Sequence, residues 1–378
     1  MERSSEFRVE KPVRLIFAGG FLGSGKTTAL AAIAKRLIQR GMRVGIITND
    51  QTENLVDTVI IKQMLSELDV PVEEVVEGCF CCRFDELISH MEKILTHEPD
   101  VLLGEPVGSC TDFVAAVANP IKINYKDAFR FAPFSILVDP ERLREMLLGE
   151  TETTFPEEVS YLFEKQLEEA DIIVLNKIDL LTKKEKERLL SGIKERFPEK
   201  DAISVSAKDG HGMNEWLDTL LSGRPGANTV LRQIDYDRYA TAEAVLGWLN
   251  AAIKITSIEA FNAQTLARYF AQDLQKAFKI KNAEIGHLKF VMTQAGKAMW
   301  TNMTHLNAEP VISGDPLGEL SRVSLILNAR VRMEPDELES IVRESLSKTF
   351  KENQMQYEIE EFQCFSPAYP EPPYLIRE

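Results

Sequence analysis

Near the start of the chain an apolar run, VRLIFAGG, passes through FLGSGKTT into a helical pattern over 27–40. No other stretch restricts the fold as strongly. An uninterrupted apolar strand is what a parallel sheet covered on both faces requires. A glycine-rich turn opening a helix aims backbone N–H groups and the positive helix end at one spot. The spacing Gly20-x-x-x-x-Gly25-Lys26-Thr27 fits the phosphate-loop pattern in full. Gly20, Gly23 and Gly25 let the backbone wrap an anion, and Ser24 and Thr28 complete the loop. Lys26 is expected to bridge the β- and γ-phosphates and Thr27 to hold Mg²⁺. A plain glycine-rich turn would explain the glycines, but the strand–loop–helix context argues against it.

The same alternation continues. RVGIITND, VEEVVEG, DVLLGEP, FSILVDP, DIIVLNKID and AISVSAK read as strands, with helices predicted over 84–96, 156–170, 183–197 and 213–222. This predicts an α/β domain with a doubly wound, mainly parallel sheet, ligands sitting at the C-terminal strand ends. SGRPGANT is a Gly/Pro-rich break. Beyond it the pattern changes: strands near 239–255, 285–293, 298–306, 322–333 and 356–365, helices near 258–278 and 335–349, together a smaller C-terminal α+β domain. The resulting division is a tail over 1–12, a P-loop GTPase domain over 13–222, a linker over 223–231, the α+β domain over 232–366 and a Pro-rich tail over 367–378.

Three further strand ends carry chemistry. VLNKIDL places Asn176-Lys177-x-Asp179 after a strand. The Asp179 carboxylate can accept from the N1–H and the exocyclic amine of guanine, a donor pair adenine lacks, so the nucleotide is expected to be GTP. The Lys177 stem can lie on the base and Asn176 can tie this loop to the phosphate loop. SVSAKDG then offers Ser206, Ala207 and Lys208, whose backbone can reach the guanine oxygen. DVLLGEPVG gives Glu105-x-x-Gly108, where the common GTPase pattern has Asp. Glu105 suits Mg²⁺ or the attacking water, and Gly108 suits contact with the γ-phosphate. Asp50, after ITN, is expected to reach Mg²⁺ or its waters, although a helix cap would serve as well. With no Gln beside Gly108, hydrolysis is expected to be slow without a partner or metal.

EGCFCC puts Cys79, Cys81 and Cys82 within four positions, in a chain of 378 residues with five cysteines. An odd, sparse set is not a secreted disulfide framework, and the N-terminus lacks the apolar core of a signal peptide. A reducing cytoplasm is the expected setting. There, clustered thiols read as ligands for a soft or borderline ion. Three ligands from one loop leave a position open, which suits transfer better than permanence; Cys110, Glu77, water or a second subunit can fill it. A redox switch is the alternative, because vicinal thiols oxidise readily. The formal net charge of −15 argues against nucleic acid and anionic membranes as partners.

GGFLGSGKTT, EGCFCC, EPVG and NKID, in this order, resemble the metallochaperone GTPases of the CobW, UreG and HypB types, and the CobW type most closely, over about residues 13–222. The resemblance implies GTP hydrolysis, a transition metal on Cys79, Cys81 and Cys82, Zn²⁺ or Co²⁺ first among candidates, and a client metalloprotein, with a homodimer possible. Asn49-Asp50-Gln51-Thr52 departs from the Asn-Glu-Phe-Gly often found there. Two alternatives stand beside this reading: a GTP-driven activator of a corrinoid or other metalloenzyme, and a regulatory GTPase with redox-sensing cysteines and no metal cargo.

Overall fold

The computed structural model describes residues 9–50, 56–153 and 155–378. Gln51 and Thr52 of the segment after ITND and the first eight residues of the expected tail lie outside them. The chain runs β1 (Val13–Gly19), α1 (Lys26–Gln39), β2 (Val44–Asn49), α2 (Val56–Met64), β3 (Val72–Val75), α3 (Phe84–Leu95) and β4 (Val101–Glu105). After a π-helical turn, Val114–Ala118, come α4 (Asn119–Asn124), β5 (Phe129–Phe131), β6 (Ser135–Val138), α5 (Pro140–Met146), α6 (Glu157–Glu169), β7 (Ile172–Leu175), α7 (Lys183–Arg196), β8 (Asp201–Ser204), α8 (Met213–Leu221) and α9 (Tyr236–Ala244). The remainder is β9 (Gly247–Asn262), α10 (Ala263–Ile280), β10 (Ile285–Gln294), β11 (Lys297–Met303), β12 (Val311–Gly314), β13 (Glu319–Val331), α11 (Pro335–Glu352) and β14 (Met355–Phe365).

Two compact units result. The first holds the described residues up to 50, then 65–239 and 370–378; the second holds α2 with 240–369. In the first, the strand order is β3-β2-β4-β1-β6-β7-β8, with β5 also on β1, and every pairing is parallel. Strands β2, β4, β6 and β7 are buried at every residue, as cover on both faces demands. Because all strands point one way, the segments after β1, β2, β3 and β4 emerge side by side on one edge. That adjacency, which the strand order alone dictates, positions the site.

The second unit is an antiparallel sheet ordered β12-β11-β10-β13-β9-β14. Strand alternation divides its faces. Leu288, Phe290 and Met292 of β10 join the core under α10 and α11, with Phe270, Leu274 and Leu346. Val291, between them, packs with Ala298 against Val56 and Ile60 of α2. Lys289, also on that face, pairs with Asp57 at 2.7 Å, and Gln63 donates to Asp315 at 2.8 Å. Helix α2 thus belongs to this unit although its chain neighbours, β2 and β3, belong to the other.

The sequence reading has no counterpart of β12, and two boundaries in this unit differ most from it. The strand expected near 239–255 begins only at Gly247, because residues 236–244 form α9, whose Tyr239 and Ala242 are buried. The helix expected near 258–278 begins at Ala263. Strand β9 continues to Asn262, paired with β13 on one side and with β14 as far as Ser257 on the other. Asn262 then stops it by accepting from the Thr265 N–H, as an N-cap does. Among the described residues, no helix is long and apolar enough to cross a membrane.

Candidate nucleotide and metal site

The loop between β1 and α1 turns on Gly25, at φ 88°, a left-handed conformation that a side chain would strain. A Cβ there would lie 2.5 Å from Asn176 Nδ2. The bare glycine lets Asn176 come close, donate to Ser24 O at 2.9 Å and accept from the Ala207 N–H at 3.1 Å. One buried side chain therefore ties three sequence-distant segments together: the phosphate loop, the Asn-Lys-x-Asp turn and the Ser206–Lys208 loop. Ser206 Oγ donates to Asp179 Oδ1 at 2.8 Å, aligning a carboxylate that otherwise faces solvent. Lys177 Nζ pairs with Asp139 at 2.6 Å, and Asp139 in turn caps α5. Lys208 is exposed, while Gly23 and Thr28 lie half-buried on the loop and the first turn of α1.

Lys26 is buried and donates to the loop carbonyls of Gly20, at 2.8 Å, and Phe21, at 3.4 Å. Thr27 Oγ1 donates to Glu105 Oε1 at 2.9 Å, both side chains being buried. A hydroxyl and a carboxylate oxygen meeting beside a phosphate loop are the donor set Mg²⁺ takes. Among the described residues, Ser24 Oγ is buried without a hydrogen-bond partner, as is Ser109 Oγ on the loop after β4. Orphaned hydroxyls of this kind mark a place where another polar group belongs. Asp50 is buried at the end of β2, its N–H donating to Val75 O.

The cysteine loop is held by a residue to which the sequence reading gave no role. Asn49, the last residue of β2, donates to Val75 O at 3.0 Å and Gly78 O at 2.7 Å, and accepts from the Phe80 N–H at 2.8 Å. Phe80 is fully buried, its ring edge-on to Phe17 of β1 at 6.0 Å. The apolar x of Cys-x-Cys-Cys is thus an anchor worth about 2–3 kcal/mol of burial, and it leaves the flanking sulfurs to face one another. The ligand atoms of Cys79, Cys81 and Cys82 lie within 4.8 Å of each other. Cys79 and Cys81 sulfurs are 2.7 Å apart, and Cys81 is 3.7 Å from Cys110.

These thiols share charge unequally. Hydrogen bonds from Cys79 and Cys81 hold Cys82 far below the ordinary thiol range, at about 3, against the pull of its own burial. Cys79 is raised by its bonds to Cys81 and Cys82 and by burial, and Cys81 is raised chiefly by its bond with Cys110. A buried cluster of this kind carries one negative charge readily and more only beside a cation. The donor set therefore fits a thiophilic ion. Glu105-x-x-Gly108 links both halves of the edge: a Cβ on Gly108 would lie 2.6 Å from Leu22 of the phosphate loop, and Cys110 follows two residues later. The nucleotide loop and the sulfurs thus share one edge of the sheet.

Residues 14–204 match the family model described as CobW/HypB/UreG, nucleotide-binding domain. The zinc chaperone CobW of Sinorhizobium sp is 28% identical over 209 residues, 50% of this chain and 58% of that protein. The zinc chaperone CobW of Pseudomonas aeruginosa is 29% identical over 239 residues, 54% of this chain and 61% of that protein. The chain thus spans less than two thirds of the length of each. Among solved structures it is similar to the hydrogenase maturation factor HypB from Archaeoglobus fulgidus, at a TM-score of 0.38 and 20% identity, covering 56% of this chain and 89% of that one.

Proposed function

The chain belongs to the CobW/HypB/UreG family, and from that premise we propose that it is a GTP-hydrolysing metallochaperone. It binds GTP on residues 20–28 and 176–179, carries a thiophilic ion, Zn²⁺ or Co²⁺, on Cys79, Cys81 and Cys82, and delivers it to a client metalloprotein. The observation that carries this reading is the juncture of residues 105–110: one short loop touches Thr27 at its first residue, Leu22 at Gly108 and the thiol cluster at Cys110.

In this mechanism Lys26 exchanges the Gly20 and Phe21 carbonyls for phosphate oxygens. Asp179, aligned by Ser206, accepts from guanine. Thr27 and Glu105, with Asp50 nearby, would hold Mg²⁺, which when bound neutralises charge on the phosphates. Gly108 senses the γ-phosphate, and its release frees the loop to move. Sulfur spacing around Cys81 follows that motion, so metal affinity differs between the GTP and GDP states.

A second reading, a redox sensor without metal cargo, is favoured by the 2.7 Å approach of the Cys79 and Cys81 sulfurs. Metal titration of anaerobically reduced protein separates the two. Nucleotide-free, GDP-loaded and non-hydrolysable-GTP-loaded samples should bind Zn²⁺ or Co²⁺ one to one with different affinities, and Cys81→Ser should abolish binding. Equal affinities in all three states would remove the coupling. No tight binding of either ion would leave the sensor.

A further inference from the structure

We propose that Cys110 is the fourth sulfur ligand, so that the metal site is a four-thiolate set drawn from two loops, the one after β3 and the one after β4. The inference rests on the reading above, that the cysteine loop takes a thiophilic ion, and adds a ligand that the Cys-x-Cys-Cys pattern does not contain.

Distance comes first. Zinc–sulfur bonds of about 2.3 Å in a tetrahedron set neighbouring sulfurs about 3.8 Å apart. Cys81 and Cys110 stand 3.7 Å apart, which is already the edge of such a tetrahedron. Cys79 and Cys82 supply the other corners, within 4.8 Å of Cys81 and of each other. Cys110 reaches this set through Cys81; closing the figure requires its loop to move toward Cys79 and Cys82 and the Cys79 and Cys81 sulfurs to part from 2.7 Å.

The surroundings of Cys110 hold it to this role. Its N–H closes a turn onto Val107 O at 2.9 Å. Gln166 Nε2, buried in α6, donates to both Gly108 O at 2.9 Å and Cys110 O at 3.1 Å. Gly108 and Cys110 are thereby pinned together, so a shift at one is passed to the other. Core filling is the competing explanation for a buried cysteine. Cys364 illustrates an ordinary cysteine here: its sulfur donates to Pro335 O at 3.1 Å and belongs to no sulfur cluster. Cys110 instead meets a sulfur that is itself one of three.

A site with three ligands on one loop and the fourth on another is closed or opened by moving the second loop. Binding one divalent ion releases the three protons held by Cys79, Cys81 and Cys110 to solvent, Cys82 being already a thiolate.

The test uses the reduced full-length chain, titrated with Co²⁺ under anaerobic conditions and followed by ligand-field and sulfur-to-cobalt charge-transfer absorption. Wild type should give a tetrahedral spectrum with four-thiolate intensity. Cys110→Ser should lose about a quarter of that intensity and release Zn²⁺ to a chelator faster, while Cys364→Ser should match wild type. If wild type binds cobalt and Cys110→Ser leaves spectrum and release rate unchanged, this proposal fails and the chaperone reading stands. A wild type that takes up no cobalt or zinc overturns both. Should Cys110→Ser fail to fold, zinc-edge X-ray absorption of the wild type decides: four sulfurs support the proposal, and three sulfurs with one lighter atom overturn it.

Discussion

Arg377 grips Asp112 with both prongs of its guanidinium, Nη1 to Oδ1 at 2.9 Å and Nη2 to Oδ2 at 2.5 Å. Asp112 is fully buried, sits at φ 66° two residues past Cys110, and also accepts from Tyr236 OH at 2.9 Å. The neighbouring tail residues are tied to the same region. Ile376 N–H donates to Ala115 O, Asn119 donates to Ile376 O, and Tyr374 lies edge-on to Phe84 at 5.0 Å. The Glu371 backbone N–H reaches the Cys82 sulfur. The tail is therefore a strap across the thiol cluster. Arg377→Ala strips a buried carboxylate of its cation but leaves Tyr236, so a stability loss of about 3 kcal/mol, seen as a lower urea midpoint, is expected. Alkylation of Cys82 should also speed up. Unchanged labelling would mean the strap does not govern access.

Asn176→Ala removes the hub between three loops. Ser24 O and the Ala207 N–H each lose a buried partner, at about 1–3 kcal/mol apiece. GTP affinity, measured by calorimetry, should fall at least roughly tenfold. A variant that binds GTP as tightly as wild type would show that the loops are pre-formed without it.

Asp179→Ala should cost GTP about 3 kcal/mol, roughly a hundredfold in affinity, because two charge-assisted hydrogen bonds to guanine go at once. ATP affinity should stay where it was. Competition binding of the two nucleotides reads the difference directly.

Glu169 gives the pH dependence. Burial lifts its carboxyl to about 8, against the opposing effect of the Val114 and Phe113 N–H groups that it accepts from, and the charge of Asp112 adds to the rise. The folded chain thus keeps a proton there that the unfolded chain gives up near 4.5. Between those values the folded state binds more protons, so this group's contribution is complete below about 4.5 and declines as pH rises to about 8, by on the order of 4 kcal/mol. Glu169→Gln should flatten the wild-type decline in urea midpoint between pH 5 and pH 8. Parallel slopes would count against it.

What the sequence made legible was local. The run from Val13 to Gln39 was readable because glycine spacing, strand composition and helix pattern agree over neighbouring residues. Helices α3, α6, α7 and α8 fall within about one residue of expectation for the same reason. The Asn49 contacts with the cysteine loop join residues about thirty positions apart, and the Arg377–Asp112 pair spans 265. Neither leaves a periodic trace, and the Pro-rich tail offered no amphipathic face to read. The start of α10 differs from expectation because Ile258, Ala260 and Phe261 fit an apolar helix face, whereas pairing with β13 through Asn262 holds them in the strand that β-branched Ile253, Ile255 and Thr256 favour.

Helix α2 has a practical corollary. Its Val56 and Ile60 shield Val291 and Ala298, and partly Trp300 and Ile326. A fragment begun after the 223–231 connection would carry the antiparallel sheet without this cover and expose a bare apolar face, a recipe for self-association. Excising the second unit intact demands a cut at each end of α2, a cut at each end of 240–369, and a suture that grafts residues 56–64 back. No single protease nick or truncation can separate the halves of this molecule cleanly.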